Sequence, residues 1–439
     1  LVMQGVTLTI EPGVELRFRD SMLLQIDGTI RAIGTEEHPI VFTRMPGSNF
    51  GWGGIFFSET AIDYDSLNGM GSIISYAQLL HGRHWNIELA SGYRQTNPLV
   101  CSSSSPLIDH CEIACYKGYI GIDNSNAVIR NCNIHDGTNG FVINPFASPS
   151  STKPVIENCL LHDLAMVYDW RFPRTYALDV GGPVLFRNNC VRNIRCDLAV
   201  RDGIGAMDIQ ILNNEFSGCA NAAIGSFGVG NTSKYIGNTF TGNRINIVFL
   251  ACAANPQIYG NNFNGYIDYN VYAAQTYLNF APNTCPSPGT MFDMDMENNY
   301  WGGLSLEEID QSIHDFNDNF LEAIRIDYES VADNPFPFTE PEAGSFVDKA
   351  DCDAVTASMN ENQSNARAME VWPNPAPASV LNVRVSAAGS YTVRIMNMTG
   401  QTVYSAERTV MADETVQLPL TGLSAGTYVL TCTSAGNSF

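Results

Sequence analysis

Hydrophobic and polar positions along the middle of the chain recur in one short phrase. An apolar residue, one or two variable positions, an Asn or Cys, a spacer and another apolar residue follow one another at 129–134, 156–161 and 211–216. The phrase returns at 235–240, 258–263 and 296–300. Counting two residues back from the closing apolar position gives a column: Cys111, Cys132, Cys159, Asn189, Asn214, Asn238, Asn261 and Asn298. Neighbours in the column lie from 21 residues (Cys111 to Cys132) to 37 residues (Asn261 to Asn298) apart, a repeat length that belongs to solenoids. A unit this short cannot bury an apolar face alone, so it stacks on its neighbours. Alternate side chains of a strand share a face, which sends the column and the closing apolar residue inward together. Asn in that slot bonds the backbone of a tight turn and the Asn stacked on it, and Cys fills it as a small buried hydrophobe. The column is an architectural ladder, and the fold it predicts is an all-β parallel β-helix.

The first 83 residues keep the same logic in other words. Alternating runs at 6–10 and 14–18, then apolar runs at 23–26, 28–32, 39–43 and 52–56, are bounded by Gly, Pro and Asp, the signals of short strands and turns. After Trp301 the spacing of Ser305 and Glu308 predicts a capping box opening a short helix to about His314. With a strand at 323–328 this makes a cap over the last coil, which solenoids need for solubility. The β-helix is thus read as 1–335 with its cap at about 298–335, followed by a Pro-broken, polar linker at 336–369. From 370 to 439, short strands separated by turn residues predict a small Ig-like β-sandwich.

Charge narrows the partners. The chain has 45 acidic against 23 basic residues, a formal charge of −22, which excludes a basic footprint for nucleic acid and electrostatic docking on anionic lipid. No apolar run reaches the ~18 residues of a membrane span. Of the 12 cysteines, Cys111, Cys132 and Cys159 are ladder thiols. Cys101 with Cys115 and Cys190 with Cys196 are local disulfide candidates for an exported chain. No zinc-ligand spacing occurs. Leu1 enters in mid-coil, so residues are expected upstream, because a bare solenoid edge is prone to aggregate.

Three stretches near the C-terminus, at 371–375 (Val371 to Pro375), 393–400 (ending Thr399, Gly400) and 423–430, resemble the type A C-terminal sorting domain of Bacteroidetes proteins exported by the type IX secretion system. The resemblance implies passage through the periplasm and outer membrane to the cell surface, with the type IX translocon as partner. Family members usually carry one more short strand beyond the position of Phe439, so the C-terminus is expected to be trimmed. The body, at 5–14, 32–43 and 298–302, is similar to the right-handed parallel β-helix repeats of surface proteins of the same bacteria. That likeness implies fold and location, and leaves the chemistry open.

Candidate chemistry lies at 162–208, where a long interruption carries His162, Asp163, Tyr168, Asp169, Trp170, Arg171, Arg174, Tyr176 and Asp179. One coil later come Arg201, Asp202 and Asp208. Long loops on a rigid scaffold are where function concentrates. Tyr168, Trp170 and Tyr176 suit stacking under a sugar. Arg171, Arg174, Asp179, Arg201, Asp202 and Asp208 are the catalytic candidates, as a base beside carboxylates in a polysaccharide lyase or as paired carboxylates in a glycoside hydrolase. The competing reading is a loop packed on its own aromatics with weak surface ion pairs. Neither enzyme's spacing is present as a motif. The leading expectation is a non-enzymatic adhesion, glycan-binding or surface-assembly protein with a polysaccharide or surface glycan as partner; the alternative is a carbohydrate-active enzyme. No cofactor is expected apart from calcium as a candidate at Asp315, Asn317 and Asn319, in a loop lacking the Gly and Glu of an EF-hand. Asp348, Asp351 and Asp353 read as linker carboxylates.

Overall fold

The computed structural model describes the chain except for residues 49–50, 90–91, 144–151, 166–175, 204–207, 228–232, 251–254, 274–290, 320–321, 342–369, 373–379, 385–388, 398–400, 411–413, 421–427, 435–436 and 439. It forms two compact units, Leu1–Cys352 and Asp353–Phe439.

The first unit is a parallel β-helix with three walls, parallel sheets of ten, ten and eleven strands. One coil runs Val128–Arg130 on the first wall, Asn133–His135 on the second and Phe141–Ile143 on the third. The corner between the first two walls shows why the phrase reads as it does. One residue per coil takes a left-handed conformation: His110, Asn131, Asn158, Asn188, Asn213, Gly237, Gly260 and Asn298, with φ from 50° to 72°. Asn and Gly adopt that conformation at least cost. The next residue turns inward and carries the ladder.

The Asn189 oxygen accepts the backbone N–H of Cys159 at 2.8 Å, and from Asn214 onward each ladder oxygen accepts from both the backbone N–H and the side-chain amide of the Asn one coil earlier. Asn214 receives Asn189 at 2.9 and 3.0 Å, Asn238 receives Asn214 at 3.0 and 3.0 Å, and Asn261 receives Asn238 at 2.8 and 3.1 Å. The series continues through Asn299, not Asn298: Asn299 is fully buried and receives Asn261 at 2.9 Å twice. Asn298 is instead the left-handed corner residue. The one-place error arises because partly exposed Tyr300 imitates the closing apolar position, which Trp301 occupies at 0% exposure. The inward aromatics stack from Phe216 to Phe240, Phe263 and Trp301 with ring centroids 5.5, 5.2 and 4.5 Å apart. Each fully buried side chain of this kind contributes roughly 1.5–3 kcal/mol. Earlier coils hold Cys in the slot, whose thiols reach the carbonyls of Ile74, Ile108 and Ile129 one coil back at 3.5, 3.8 and 3.8 Å, and those of Asp109, Arg130 and Glu157 in their own coil at 3.4, 3.1 and 3.3 Å.

The local disulfide pairings do not form. Cys101, Cys190 and Cys196 are free buried thiols, while Cys115 is disulfide-bonded. Cys196 packs in the interior at the bend between the second and third walls, whereas Cys190 sits on the second-wall strand near the Arg192 guanidinium and outside the interior cluster. At the far end, Ser305 and Glu308 make the capping box of the helix Leu306–Gln311. The helix stops short of His314 because Ile313–His314 joins the third wall as its last strand, beside Val271 and Tyr272. An antiparallel hairpin, Trp85–Leu89 with Gly92–Thr96, is inserted within one coil, between its second-wall strand Ala77–Leu80 and its third-wall strand Leu99–Ser102, a feature the repeat phrase does not encode.

The second unit has two antiparallel sheets. Glu370–Trp372, Val380–Arg384 and Thr415–Pro419 form one; Gly389–Asn397, Thr402–Val410, Tyr428–Ser434 and Asn437–Ser438 form the other. Val383, Tyr391, Val393, Ile395, Val410 and Leu418 make its core. The motif residues Pro373 to Pro375, Thr399, Gly400 and 423–427 lie outside the described residues.

Candidate functional site

The outer face of the third wall carries a groove of about 340 Å³. It is built by five consecutive parallel strands: Tyr176–Val180, Leu198–Asp202, Ala222–Ser226, Asn243–Phe249 and Tyr266–Ala273. Leu178, Val200, Ile224, Ile247 and Val271 point into the core. The register aligns an outward column of Tyr176, Leu198, Ala222, Ile245 and Tyr269. Aromatic rings at both ends flank shorter aliphatic side chains, so the column is a trough whose floor is apolar. At a strand spacing of ~4.8 Å its four steps span about 19 Å along the solenoid. Val248, Tyr272, Phe227 and Leu250 extend the apolar lining, and most of it packs as a cluster separate from the core.

A polar column borders the trough. Asp197, Asn221, Arg244 and Asp268 each stand one residue before a trough position and line the groove. Arg244 donates to Asp268 at 2.6 Å. Beneath the groove a second internal ladder holds the wall: Asn243 donates to Asn246 at 2.9 Å, Asn246 to Asn270 at 2.7 Å, and Asn270 to Ser312 at 3.0 Å. Carboxylates, an arginine and an amide beside an aromatic trough can hydrogen-bond hydroxyl groups while the rings contact an apolar face.

The candidates from 162–208 are dispersed by this geometry. Tyr168, Asp169, Trp170, Arg171 and Arg174 lie outside the described residues. Tyr176 forms one end of the trough. Asp179 and Arg201 are in register on adjacent coils and pair at 2.7 Å, with the Arg201 guanidinium 5.5 Å from the Tyr176 ring and 5.4 Å from the Phe227 ring. Burial pushes the Asp179 carboxyl up, against the pull of Arg201. Asp202 turns into the interior, where the Tyr235 hydroxyl donates to it at 2.5 Å. Burial, reinforced by that carboxylate, drives the Tyr235 hydroxyl well above its ordinary range. Asp208 sits beside the first wall, paired with Lys153 at 2.8 Å. The catalytic candidates among the described residues therefore do not meet at one cleft.

Elsewhere, His162 stacks on His135 at 4.8 Å on the second wall and bonds Asp163 at 2.7 Å. Asp315 spends both carboxylate oxygens on backbone N–H groups, of Asn317 and Ile326, at 2.8 Å each, the geometry of a capped turn. Asn319 donates to Glu322 at 3.3 Å. Among the described residues no group of three or more His, Cys, Asp or Glu is placed to hold a metal ion. Asp348, Asp351 and Asp353 lie outside the described residues. No helix among the described residues is long and apolar enough to cross a membrane.

The repeat phrase did not reveal Asp197, Asn221, Phe227, Arg244, Asp268, Tyr269 and Tyr272. The signal that finds the columns is the coil period itself: Tyr176, Leu198, Ala222, Ile245 and Tyr269 align once the third-wall strands are set in register.

Residues 370–439 match the family described as the secretion system C-terminal sorting domain. They are a type IX sorting domain, and the chain is exported to the cell surface or the extracellular space. No curated protein matches the chain.

Proposed function

From an exported β-helix with a groove along its third wall, we propose a surface protein that binds an extended glycan in that groove, without turning it over. The observation that carries this reading is the trough bounded by Tyr176 and Tyr269 with a polar column along one edge. A sugar ring has the matching anatomy, with an apolar face of C–H groups and a rim of hydroxyls. Tyr is suited to it because it offers a broad apolar face and a polar tip. The groove also has the size of a ligand site, which runs from about 300 Å³ upward. Its direction follows the stack of coils, so a chain polymer lies along it and extends beyond either end.

Binding without turnover is the simpler chemistry here. A hydrolase places two carboxyl groups across one bond, whereas Asp179 is spent on Arg201 and Asp202 is turned inward on Tyr235. The test is a glycan-array screen on the full chain, with every hit then assayed for cleavage products. The expected result is binding of intact glycan that is lost in the Tyr176→Ala/Tyr269→Ala double variant. Cleavage products would replace the adhesion reading with the carbohydrate-active enzyme. Silence across the array from a folded protein would point to a purely structural subunit.

A further inference from the structure

The charge of the groove selects among glycans, an inference that rests on the glycan reading above. We propose that the ligand is an uncharged polysaccharide and that the groove rejects polyanionic ones, those carrying uronate or sulfate groups. Among the described residues lining the groove, the charged side chains are Asp197, Asp268 and Arg244. Carboxylates outnumber the cation, and the Arg244 guanidinium is already held by Asp268 at 2.6 Å. The second arginine nearby, Arg201, is likewise held by Asp179 at 2.7 Å and lies against the Tyr176 and Phe227 rings. Both guanidinium charges, at the groove and beside it, are therefore opposed by a neighbouring carboxylate.

A polyuronate brings one negative charge on every sugar. Seating it on the trough would set those charges beside Asp197 and Asp268, and would have to draw Arg244 away from its partner. Like charges held a few ångström apart repel even in water, and more strongly near a protein surface. The whole chain adds to this, because a formal charge of −22 repels a polyanion before contact. A neutral sugar meets the opposite situation. Its hydroxyls donate to Asp197 and Asp268 and accept from Asn221 and Arg244, and bonds to charged groups are the stronger kind. The apolar floor asks only for an uncharged ring face.

The experiment is calorimetric titration of the full chain with neutral hexasaccharides cut from glucan, mannan and galactan, against the corresponding hexauronates. At least one neutral hexasaccharide should bind at least about tenfold tighter than its uronate counterpart. The gap should widen at low ionic strength, where repulsion is less screened. Asp197→Asn should narrow it by raising uronate affinity. Should that variant not fold, the salt series on the unaltered protein still separates repulsion from its absence. A hexauronate that binds as tightly as the neutral sugar, and is lost in Tyr269→Ala, overturns the charge inference and leaves the glycan reading standing. Failure of every oligosaccharide to bind overturns both.

Discussion

The coils built on Cys111, Cys132 and Cys159 and those built on Asn189 to Asn299 solve one structural problem with different chemistry. Both have an inward residue just after a left-handed corner, at 0% exposure. In the asparagine half that residue ties each coil to the next through two bonds to a single side-chain oxygen, at 2.8–3.1 Å. In the cysteine half the only thiol bonds that cross to the preceding coil are long contacts of 3.5–3.8 Å to carbonyls, while the nearer carbonyls at 3.1–3.4 Å belong to the thiol's own coil, so the thiol adds little to the tie between coils. Burial pushes the Cys111 and Cys159 thiols up, so they stay protonated and inert. Four of the five groove strands belong to coils with Asn in the slot. The part of the solenoid that presents the trough is thus the part whose coils are fastened from within, and a site that must hold its side chains in place gains from such a platform.

The sharpest way to break this comparison is to remove one rung. Asn238→Leu leaves the backbone N–H of Asn214 without its acceptor, takes one of two acceptors from the Asn214 side-chain amide and one of two donors from the Asn261 oxygen, and leaves the Ile211 carbonyl without that amide. Buried groups without partners cost about 1–3 kcal/mol each, so a loss of about 3 kcal/mol is expected. Cys132→Ala, in the other half, removes one sulfur and should cost about 1 kcal/mol. Urea unfolding measures both, and equal losses would deny that the two halves differ. Tyr235→Phe comes next, at about 2 kcal/mol, because it strips the buried Asp202 carboxylate of a donor at 2.5 Å. Hydrogen exchange should locate that loss in the coils around Tyr235, since a solenoid transmits stability mainly to its neighbours.

The ladder was legible in the chain because its slot demands few residue types. A small polar or thiol side chain between two apolar ones stands out in every repeat. Where the phrase failed, at Asn298 in place of Asn299, an aromatic at Tyr300 stood where an inward residue was expected, and the left-handed φ of 57° at Asn298 with the Asn261 bonds to Asn299 sets the register. The trough was not legible for a different reason. Tyr176, Leu198, Ala222, Ile245 and Tyr269 share no residue type, and their meaning exists only across coils. Facing was equally hidden: Arg201 and Asp202 are neighbours in the chain, yet one looks outward and the other into the core.

Two smaller effects separate the faces of the halves. Tyr269→Ala removes one end of the trough and should weaken glycan binding about tenfold, or about 1.4 kcal/mol, with thermal stability little changed. In the cysteine half, His135 should make stability depend on pH. Burial disfavours its charge, but Glu112 at 2.9 Å and Asp136 at 2.8 Å outweigh it and raise the imidazole above its ordinary value. Stability from this group is therefore fully present below ~pH 6.5 and lost as pH rises through the raised value. His162, stacked on it, is lowered by burial and contributes with the opposite sign, its share lost as pH falls. Melting curves of His135→Gln against the unaltered chain isolate the first term: the gap should shrink as pH rises, and a gap that grows would show that the folded chain lowers the His135 imidazole instead of raising it.

The smallest effect expected is at the ion pair that crosses between the halves on the outside. Lys153 precedes a strand of the last cysteine coil, Asp208 precedes the strand two coils on, and their side chains meet at 2.8 Å. Asp208 remains 52% exposed, so water and salt compete with the contact, and exposed pairs of this kind contribute about 0–1 kcal/mol. Asp208→Asn should therefore change the free energy of urea unfolding by less than about 0.5 kcal/mol, and it should leave glycan affinity unchanged because Asp208 stands outside the groove. A large loss of stability would mean that outer contacts, and not the internal ladder, fasten the coils, and the contrast between the halves would lose its physical basis. A loss of affinity without a loss of stability would restore Asp208 to the binding surface and extend the site beyond the third wall.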